Sequence, residues 1–436
     1  MNKKTFAIVG LGGRHELFRD AITGRFKENC KVTALCDRNY GRLQKSLKET
    51  EKRAGYPVKG YLSDDFDQMI IDLKPDTVIV TTMDSTHDDF ICRAMELGCD
   101  VITEKPMTIN AEKCTRILDT QKKTGKQITV TFNYRYSPPR TQVKDLLMSG
   151  TIGRIISIDF SWLLDTHHGA DYFRRWHRNK INSGGLLVHK ATHHFDLVNW
   201  WIASVPEIVY AKGSRSFYTP DTADKFGLKN RASRCHICKE SDKCNFLLSL
   251  KDNPSLRSLY LDQESYDGYH RDQCVFSDRI DIEDSMSVFV EYRNNVRLNY
   301  SLTAFAPWEG YIINFNGTKG RIEHRMEETV YINADGSVPG NMKKDKTKIK
   351  VYPLRKEPFE VDIWEGEGGH GGADPQMIKY IFDPENQPPD KYLRASDHRS
   401  GAWSIITGIA ANRSMELRKP VEINELIPFM ELPGFV

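Results

Sequence analysis

Thr5-Phe6-Ala7-Ile8-Val9-Gly10-Leu11-Gly12-Gly13-Arg14-His15 is the stretch whose reading decides the fold. A short apolar run, residues 6–9, ends abruptly in glycines and opens onto a helical pattern over 14–27. An apolar run of that length, bounded by glycine, reads as a strand buried on both faces, as in a parallel sheet. Working outward, the alternation repeats. Residues 31–36 form a second strand candidate that ends at Asp37, and residues 77–81 are almost entirely β-branched. A helix pattern over 88–97 stops at Gly98, followed by a strand over 100–103, a helix over 111–124 and a strand over 127–132. Strands alternating with helices of roughly ten to fifteen residues predict βαβ units wound into a parallel sheet.

The glycine turn carries chemistry of its own. Glycines there allow a tight turn and close approach of backbone to a pyrophosphate, and the following helix presents free N–H groups and the positive end of its dipole. His15 stands where the third glycine of the usual G-x-G-x-x-G pattern would fall, so the motif alone marks only a turn. Its place at the head of a βαβ pattern, with Asp37 closing the second strand, points to a dinucleotide. A carboxylate there accepts hydrogen bonds from both ribose hydroxyls of NAD and repels a 2′-phosphate. NAD is therefore expected rather than NADP, which Arg38 leaves open. The cofactor candidates from this region are Gly10, Gly12, Gly13, Arg14, His15, Asp37 and Arg38.

The chain has 436 residues, a length that suggests two or three structural units and a core needing no cross-links. Its 62 basic residues nearly balance 59 acidic ones, leaving a formal net charge of +3 and no global field for nucleic acid or an anionic membrane. Lys3 and Lys4 precede an apolar run, but glycines interrupt it too soon for a signal peptide, and no stretch approaches the ~18 apolar residues of a membrane span. A soluble, cytoplasmic protein is expected.

Beyond about residue 135 the rhythm changes. Strand candidates over 155–162, 285–292, 296–304 and 311–316 follow one another, with Asn294-Asn295 as a hairpin turn. They predict a mostly antiparallel sheet, accompanied by helices over 186–202 and 398–416. Two polar stretches, 219–280 and 334–348, read as loops. The expected division is a dinucleotide-binding domain over 1–132 and an α+β domain over 133–436, with a cysteine-containing insertion at about 219–280.

Two further segments suggest catalysis. Glu104-Lys105-Pro106 follows the fourth strand, and ligands bind at the carboxyl ends of such strands. Lys105 would then lie beside the nicotinamide, where it could stabilise an oxyanion or lower the pKa of a substrate hydroxyl. The bland alternative is a solvated lysine before a turn proline, and Pro106 is a candidate for a cis bond. In Gly184-Gly185-Leu186-Leu187-Val188-His189-Lys190-Ala191-Thr192-His193-His194-Phe195-Asp196, helical spacing puts His189, His193 and Asp196 on one face and Lys190 and His194 on the next stripe. So many ionisable groups in an apolar helix are costly to bury without a purpose. Hydrogen-bonded core histidines are the alternative, and a metal pair ranks low because no zincin-type glutamate follows.

Of nine cysteines, five are scattered, as expected of reduced core residues. Cys235, Cys238, Cys244 and Cys274 fall in the polar insertion. Four thiolates could complete a structural zinc site that orders the loop, with free thiols as the alternative.

Taken together, these landmarks resemble the Gfo/Idh/MocA oxidoreductase family along nearly the whole chain. The motifs are Ala7-Ile8-Val9-Gly10-Leu11-Gly12, Asp76-Thr77-Val78-Ile79-Val80-Thr81-Thr82 with His87, Glu104-Lys105-Pro106, Asn133-Tyr134-Arg135-Tyr136, Gly150-Thr151-Ile152-Gly153, and Gly184-Gly185 leading to His193 and Asp196. The resemblance implies an N-terminal Rossmann domain, and a C-terminal domain whose open sheet serves both substrate binding and homo-oligomer formation. It implies hydride exchange between nicotinamide and a carbon of a sugar, glycoside or polyol. It adds Thr81, Thr82, His87 and Glu104 to the cofactor set. Lys105 takes the family lysine's position, as the electrostatic partner, and His193 that of the catalytic histidine, as general base. Where the family often has an aspartate four residues before that histidine, this chain has His189, so His189 or Lys190 is expected to share the proton work. Tyr134, Arg135, Arg175, Trp176, His194, Asp196 and His370 are expected around the substrate. Two competitors remain: a redox glycosidase that oxidises a sugar transiently at C3 and recycles bound NAD, and a non-catalytic NAD-binding sensor.

Overall fold

The computed structural model describes residues 3–329, 347–366 and 372–436. The first domain alternates β1 (Lys4–Val9), α1 (His15–Thr23), β2 (Cys30–Asp37), α2 (Tyr40–Ala54), β3 (Lys59–Leu62), α3 (Phe66–Leu73), β4 (Thr77–Val80), α4 (His87–Glu96), β5 (Asp100–Thr103), α5 (Ala111–Thr124) and β6 (Ile128–Val130). Its six strands are parallel in the order β3-β2-β1-β4-β5-β6. That order reverses between β1 and β4, and the loops at their carboxyl ends open a crevice there. β1 and β4 are buried along their apolar runs because helices cover both faces.

The second domain begins with α6 (Pro138–Met148), β7 (Ile155–Asp165), α7 (Thr166–Arg174), α8 (Lys180–Ser183), α9 (Leu186–His189), α10 (Thr192–Ile202) and β8 (Pro206–Ser214). The insertion carries three short helices, α11 (Pro220–Lys225), α12 (Pro254–Leu259) and α13 (Glu264–Asp267), where a loop is expected. Then come β9 (Ser285–Tyr292), β10 (Arg297–Ala306), β11 (Glu309–Gly317), β12 (Gly320–Thr329), β13 (Thr347–Pro353), β14 (Phe359–Val361), α14 (Ala373–Phe382), α15 (His398–Leu417) and β15 (Val421–Glu422). The nine strands pair in the order β14-β13-β12-β11-β7-β10-β9-β8-β15. All pairs are antiparallel except β7 with β10. Asn295 turns the β9–β10 hairpin with φ of 63°, a conformation asparagine tolerates. Most of the expected 334–348 loop lies outside the described residues.

The chain returns to the first domain after residue 372. Phe382 of α14 packs on Phe6 and Phe26, with ring centroids 5.2 and 5.8 Å apart. The Val130 N–H donates to the Ser396 carbonyl at 3.0 Å, an ordinary length for such a bond. α15 then runs back under the second sheet. A β-carbon at Gly408 would lie 2.1 Å from the Leu187 carbonyl oxygen, so only glycine lets α15 and α9 approach this closely. The single helix expected over 186–202 is broken between α9 and α10, at Lys190 and Ala191.

Candidate active site

The glycine turn and the histidine segment meet in one cavity of about 1010 Å³. Its first end is built by the ends of β1, β2 and β4. Gly10 has φ of +89°, and a β-carbon there would sit 2.6 Å from the Thr82 nitrogen, so the turn must be glycine to pass this close to β4. Thr81 ties the two together by donating to the Gly10 carbonyl at 2.5 Å. Gly12, Gly13 and Arg14 line the cavity at the N-terminus of α1, whose first turn has no side-chain cap. The Gly13 N–H makes one long contact, to the Tyr260 hydroxyl at 3.5 Å, among the described residues. Free N–H groups and a helix dipole aimed into a cavity fit a pyrophosphate. Asp37 accepts from the backbone of Leu11 at 2.6 Å and Asn39 at 2.7 Å, which fixes its carboxylate in the cleft. The residues present therefore fit a dinucleotide.

Thr82, His87, Glu104 and Lys105 also line this cavity. The His87 ring nitrogens lie 2.9 Å from the Pro106 carbonyl and 3.2 Å from that of Thr82, bracing the loops after β4 and β5. Glu104 accepts from Arg14 Nε at 2.6 Å. The Lys105–Pro106 bond is cis. His15 is the exception among the cofactor candidates: its ring turns inward, 1% exposed, with Nδ1 2.5 Å from the Gly12 carbonyl oxygen. Burial pushes its pKa down to about 4.

The second end of the cavity holds Lys105, His189, Lys190 and His193 together with Tyr134, Arg175 and Trp176. The break between α9 and α10 lets residues from both helices face it. Lys105 Nζ donates to the His189 carbonyl at 3.3 Å. Burial, reinforced by Lys190, pushes the Lys105 ammonium down to about 8 against the opposing pull of Asp84. His193 stacks on Tyr134, with ring centroids 4.2 Å apart. Lys190 Nζ lies 3.4 Å from the Tyr134 hydroxyl and 4.0 Å from Glu309, which in turn meets His168 at 2.7 Å.

The sequence reading missed Asp84. Its carboxylate lies 2.5 Å from His189 Nδ1, at the end of the loop after β4. Burial raises the Asp84 pKa well above the usual carboxylate range and lowers that of His189. The buried carboxylate beside His189 thus comes from the first domain, not from the histidine segment itself. Also unforeseen are the insertion residues at the cofactor end, Tyr260, Asp267 and Tyr269. A polar stretch without periodicity gives no signal of where it packs.

Three substrate candidates do not line the cavity. Arg135 and Asp196 form a buried pair, at 2.8 and 2.5 Å, that joins the start of the second domain to α10. His194 turns to the other side of α10, stacking on Trp162 at 3.8 Å and meeting the Tyr300 hydroxyl at 2.7 Å. Helical rotation of about 100° per residue separates it from its neighbour His193. His370 lies outside the described residues.

The expected zinc centre is not supported. Cys235, Cys238, Cys244 and Cys274 line one small cavity of about 30 Å³. Yet among the described residues no group of three or more His, Cys, Asp or Glu is arranged to hold a metal ion. Burial pushes the thiols of Cys235, Cys244 and Cys274 up. Phe246 and Phe276, 5.1 Å apart, pack around the cluster instead. No helix among the described residues is long and apolar enough to cross a membrane.

Comparison with known proteins agrees with this architecture. A family profile described as "Oxidoreductase family, NAD-binding Rossmann fold" matches residues 4–132, and one described as "Oxidoreductase family, C-terminal alpha/beta domain" matches residues 144–423. The chain is 36% identical over 431 residues to "Putative oxidoreductase YteT" of Bacillus subtilis (strain 168), across 97% of this chain and 98% of that protein. It is 27% identical over 198 residues to an inositol 2-dehydrogenase/D-chiro-inositol 3-dehydrogenase of Lactiplantibacillus plantarum, across 45% of this chain and 51% of that one. The crystal structure of aldose-aldose oxidoreductase from Caulobacter crescentus complexed with glycerol has a similar fold, with a TM-score of 0.61 at 17% identity over 97% of this chain and 100% of that chain. With a matching profile on each domain and a relative aligned almost end to end, the chain belongs to the Gfo/Idh/MocA family and is an NAD-binding oxidoreductase.

Proposed function

We propose that this oxidoreductase exchanges a hydride between NAD and a hydroxyl-bearing carbon of a sugar, glycoside or polyol. The observation that carries this reading is the shared cavity: Lys105 and His193 open into the same space as the glycine turn and Asp37. The nicotinamide supplies the hydride chemistry when bound; the protein's own groups handle the proton. Lys105 sits at the carboxyl edge of the parallel sheet, where the dinucleotide's reactive end is expected. With its ammonium pushed down to about 8, it can take a hydroxyl proton as a free amine and return it as an ammonium near neutral pH. His193, held by its stack on Tyr134, is the second proton-transfer group. Lys190 and the Asp84–His189 pair set the charge around both.

The wall beyond them suits a polyhydroxylated ligand. Arg175 and Asn179 offer donors, and Trp176, stacked on His177 at 3.6 Å, offers an aromatic face for the C–H side of a sugar ring. The named inositol dehydrogenase relative supports the same substrate class. A homo-oligomer assembled on the open face of the second sheet belongs to this reading. That face carries a polar ladder in which Asn299 donates to Asp159 and Ser301 to Ser161.

A second reading, the redox glycosidase, draws on the additional proton-carrying groups Lys190, Glu309, His168 and Tyr172. The His168 ring lies 2.7 Å from Glu309 and 3.0 Å from the Tyr172 hydroxyl. One experiment separates the two. Purified protein is incubated with NAD and a panel of free sugars, inositols and aryl glycosides, with NADH absorbance and released aglycone followed together. Stoichiometric NADH supports the dehydrogenase. Aglycone release without net NADH replaces it with the glycosidase. Bound NAD with silence in both channels across the panel would favour the sensor.

A further inference from the structure

One carboxylate in the cofactor cleft comes from neither the glycine turn nor β2. Asp267 ends α13, in the insertion of the second domain, and its side chain is 5% exposed. It forms an ion pair with Arg42 of α2 and lies 3.7 Å from Arg38 Nε. Arg42 also stands 3.5 Å from Asp37. All four residues line the cavity. The arrangement is held from both sides: Asn39 Nδ2 donates to the Gln263 carbonyl at 2.9 Å, and Arg234 holds Glu264 at 2.5 and 2.9 Å.

Two guanidiniums beside the carboxylate at the end of β2 are the groups that would grip a 2′-phosphate with paired hydrogen bonds. On their own they would offset the repulsion from Asp37 and make the cleft tolerant of NADP. Asp267 changes the balance. Two arginines and two aspartates sum to zero, and both guanidiniums already face a carboxylate. A 2′-phosphate would bring about two further negative charges and must either expel Asp267 or stand against it. A ribose hydroxyl brings none.

We infer that Asp267 is a specificity-determining residue: reaching in from the insertion, it occupies Arg38 and Arg42 and so selects NAD over NADP. The inference rests on the reading of this cleft as the dinucleotide site.

Direct binding tests it without turnover. Kd values for NADH and NADPH are measured by calorimetry on the full chain and on Asp267→Asn at one ionic strength, with folding of the variant checked by circular dichroism. The unaltered chain is expected to prefer NADH by more than about tenfold. In Asp267→Asn the Kd ratio of NADPH to NADH should fall by about tenfold or more, chiefly through tighter NADPH binding that weakens steeply with salt. Equal affinities in the unaltered chain, or a ratio that falls less than this, would overturn the inference. Arg38→Ala gives an independent arm, because Arg38 is exposed and safe to remove. With its charge already taken by Asp267, its loss should change NADPH affinity less than about threefold; a larger loss means that Arg38 binds the phosphate despite Asp267. This arm decides if Asp267→Asn fails to fold. Binding of neither dinucleotide is a different failure, and removes the cofactor assignment of the cleft itself.

Discussion

Replacing Lys105 by Met gives the sharpest test of the proton chemistry. The substitution keeps much of the side-chain length and removes the ammonium. Burial pushes Lys105 from 10.5 to about 8, so at pH 8 about half the molecules carry a free amine, against about one in 300 for an ordinary lysine. The sign follows directly. For oxidation of a hydroxyl the free amine is the active form, so kcat/KM should rise with pH and level off above about 8. For reduction the ammonium is active, and the profile falls through the same point. Positioned acid–base groups contribute roughly 10²- to 10⁴-fold, and Lys105→Met should lose that much in kcat while still binding NAD. The assay pairs a pH profile of kcat/KM with cofactor titration. Turnover within tenfold of the unaltered enzyme, or an inflection near 8 that survives in the variant, would refute the role given to Lys105.

Three further outcomes follow from the same geometry. Lys190→Met removes a neighbouring cation that helps to depress Lys105, so the inflection should move to higher pH, on the order of half a pH unit; a downward move would contradict the electrostatics. Asp196→Ala leaves the Arg135 guanidinium buried without its carboxylate and should cost about 3–5 kcal/mol, read as a lower denaturation midpoint; a near-neutral result would mean that Arg135 finds another partner. Gly408→Ala places a methyl 2.1 Å from the Leu187 carbonyl oxygen, so α9 must shift and carry His189 away from Asp84. A loss of activity with little loss of NAD affinity, in paired kinetic and binding measurements, would bear this out, and unchanged kinetics would not.

The parallel sheet was legible in the sequence because its strands are buried on both faces and read as continuous apolar runs between glycine punctuation. Residues 100–103 and 111–124 emerge with the bounds that the pattern predicts. The Gly10 turn was legible for a related reason: φ of +89° and a 2.6 Å approach to the backbone of β4 admit only glycine, so a local constraint leaves a local mark. Lys105 and the histidine segment stood out because ionisable groups in apolar surroundings are expensive. What the sequence could not convey is which of these groups face one another. His193 and His194 are adjacent in the chain, yet one lines the cavity and the other joins the aromatic core, because a helix turns about 100° per residue and the break after His189 resets the phase. Asp84 meets His189 across 105 positions of chain, and Asp267 reaches Arg42 across 225. No periodicity encodes such pairings. They exist because two domains close on each other, and Coulomb attraction between buried charges acts through space, not along the chain.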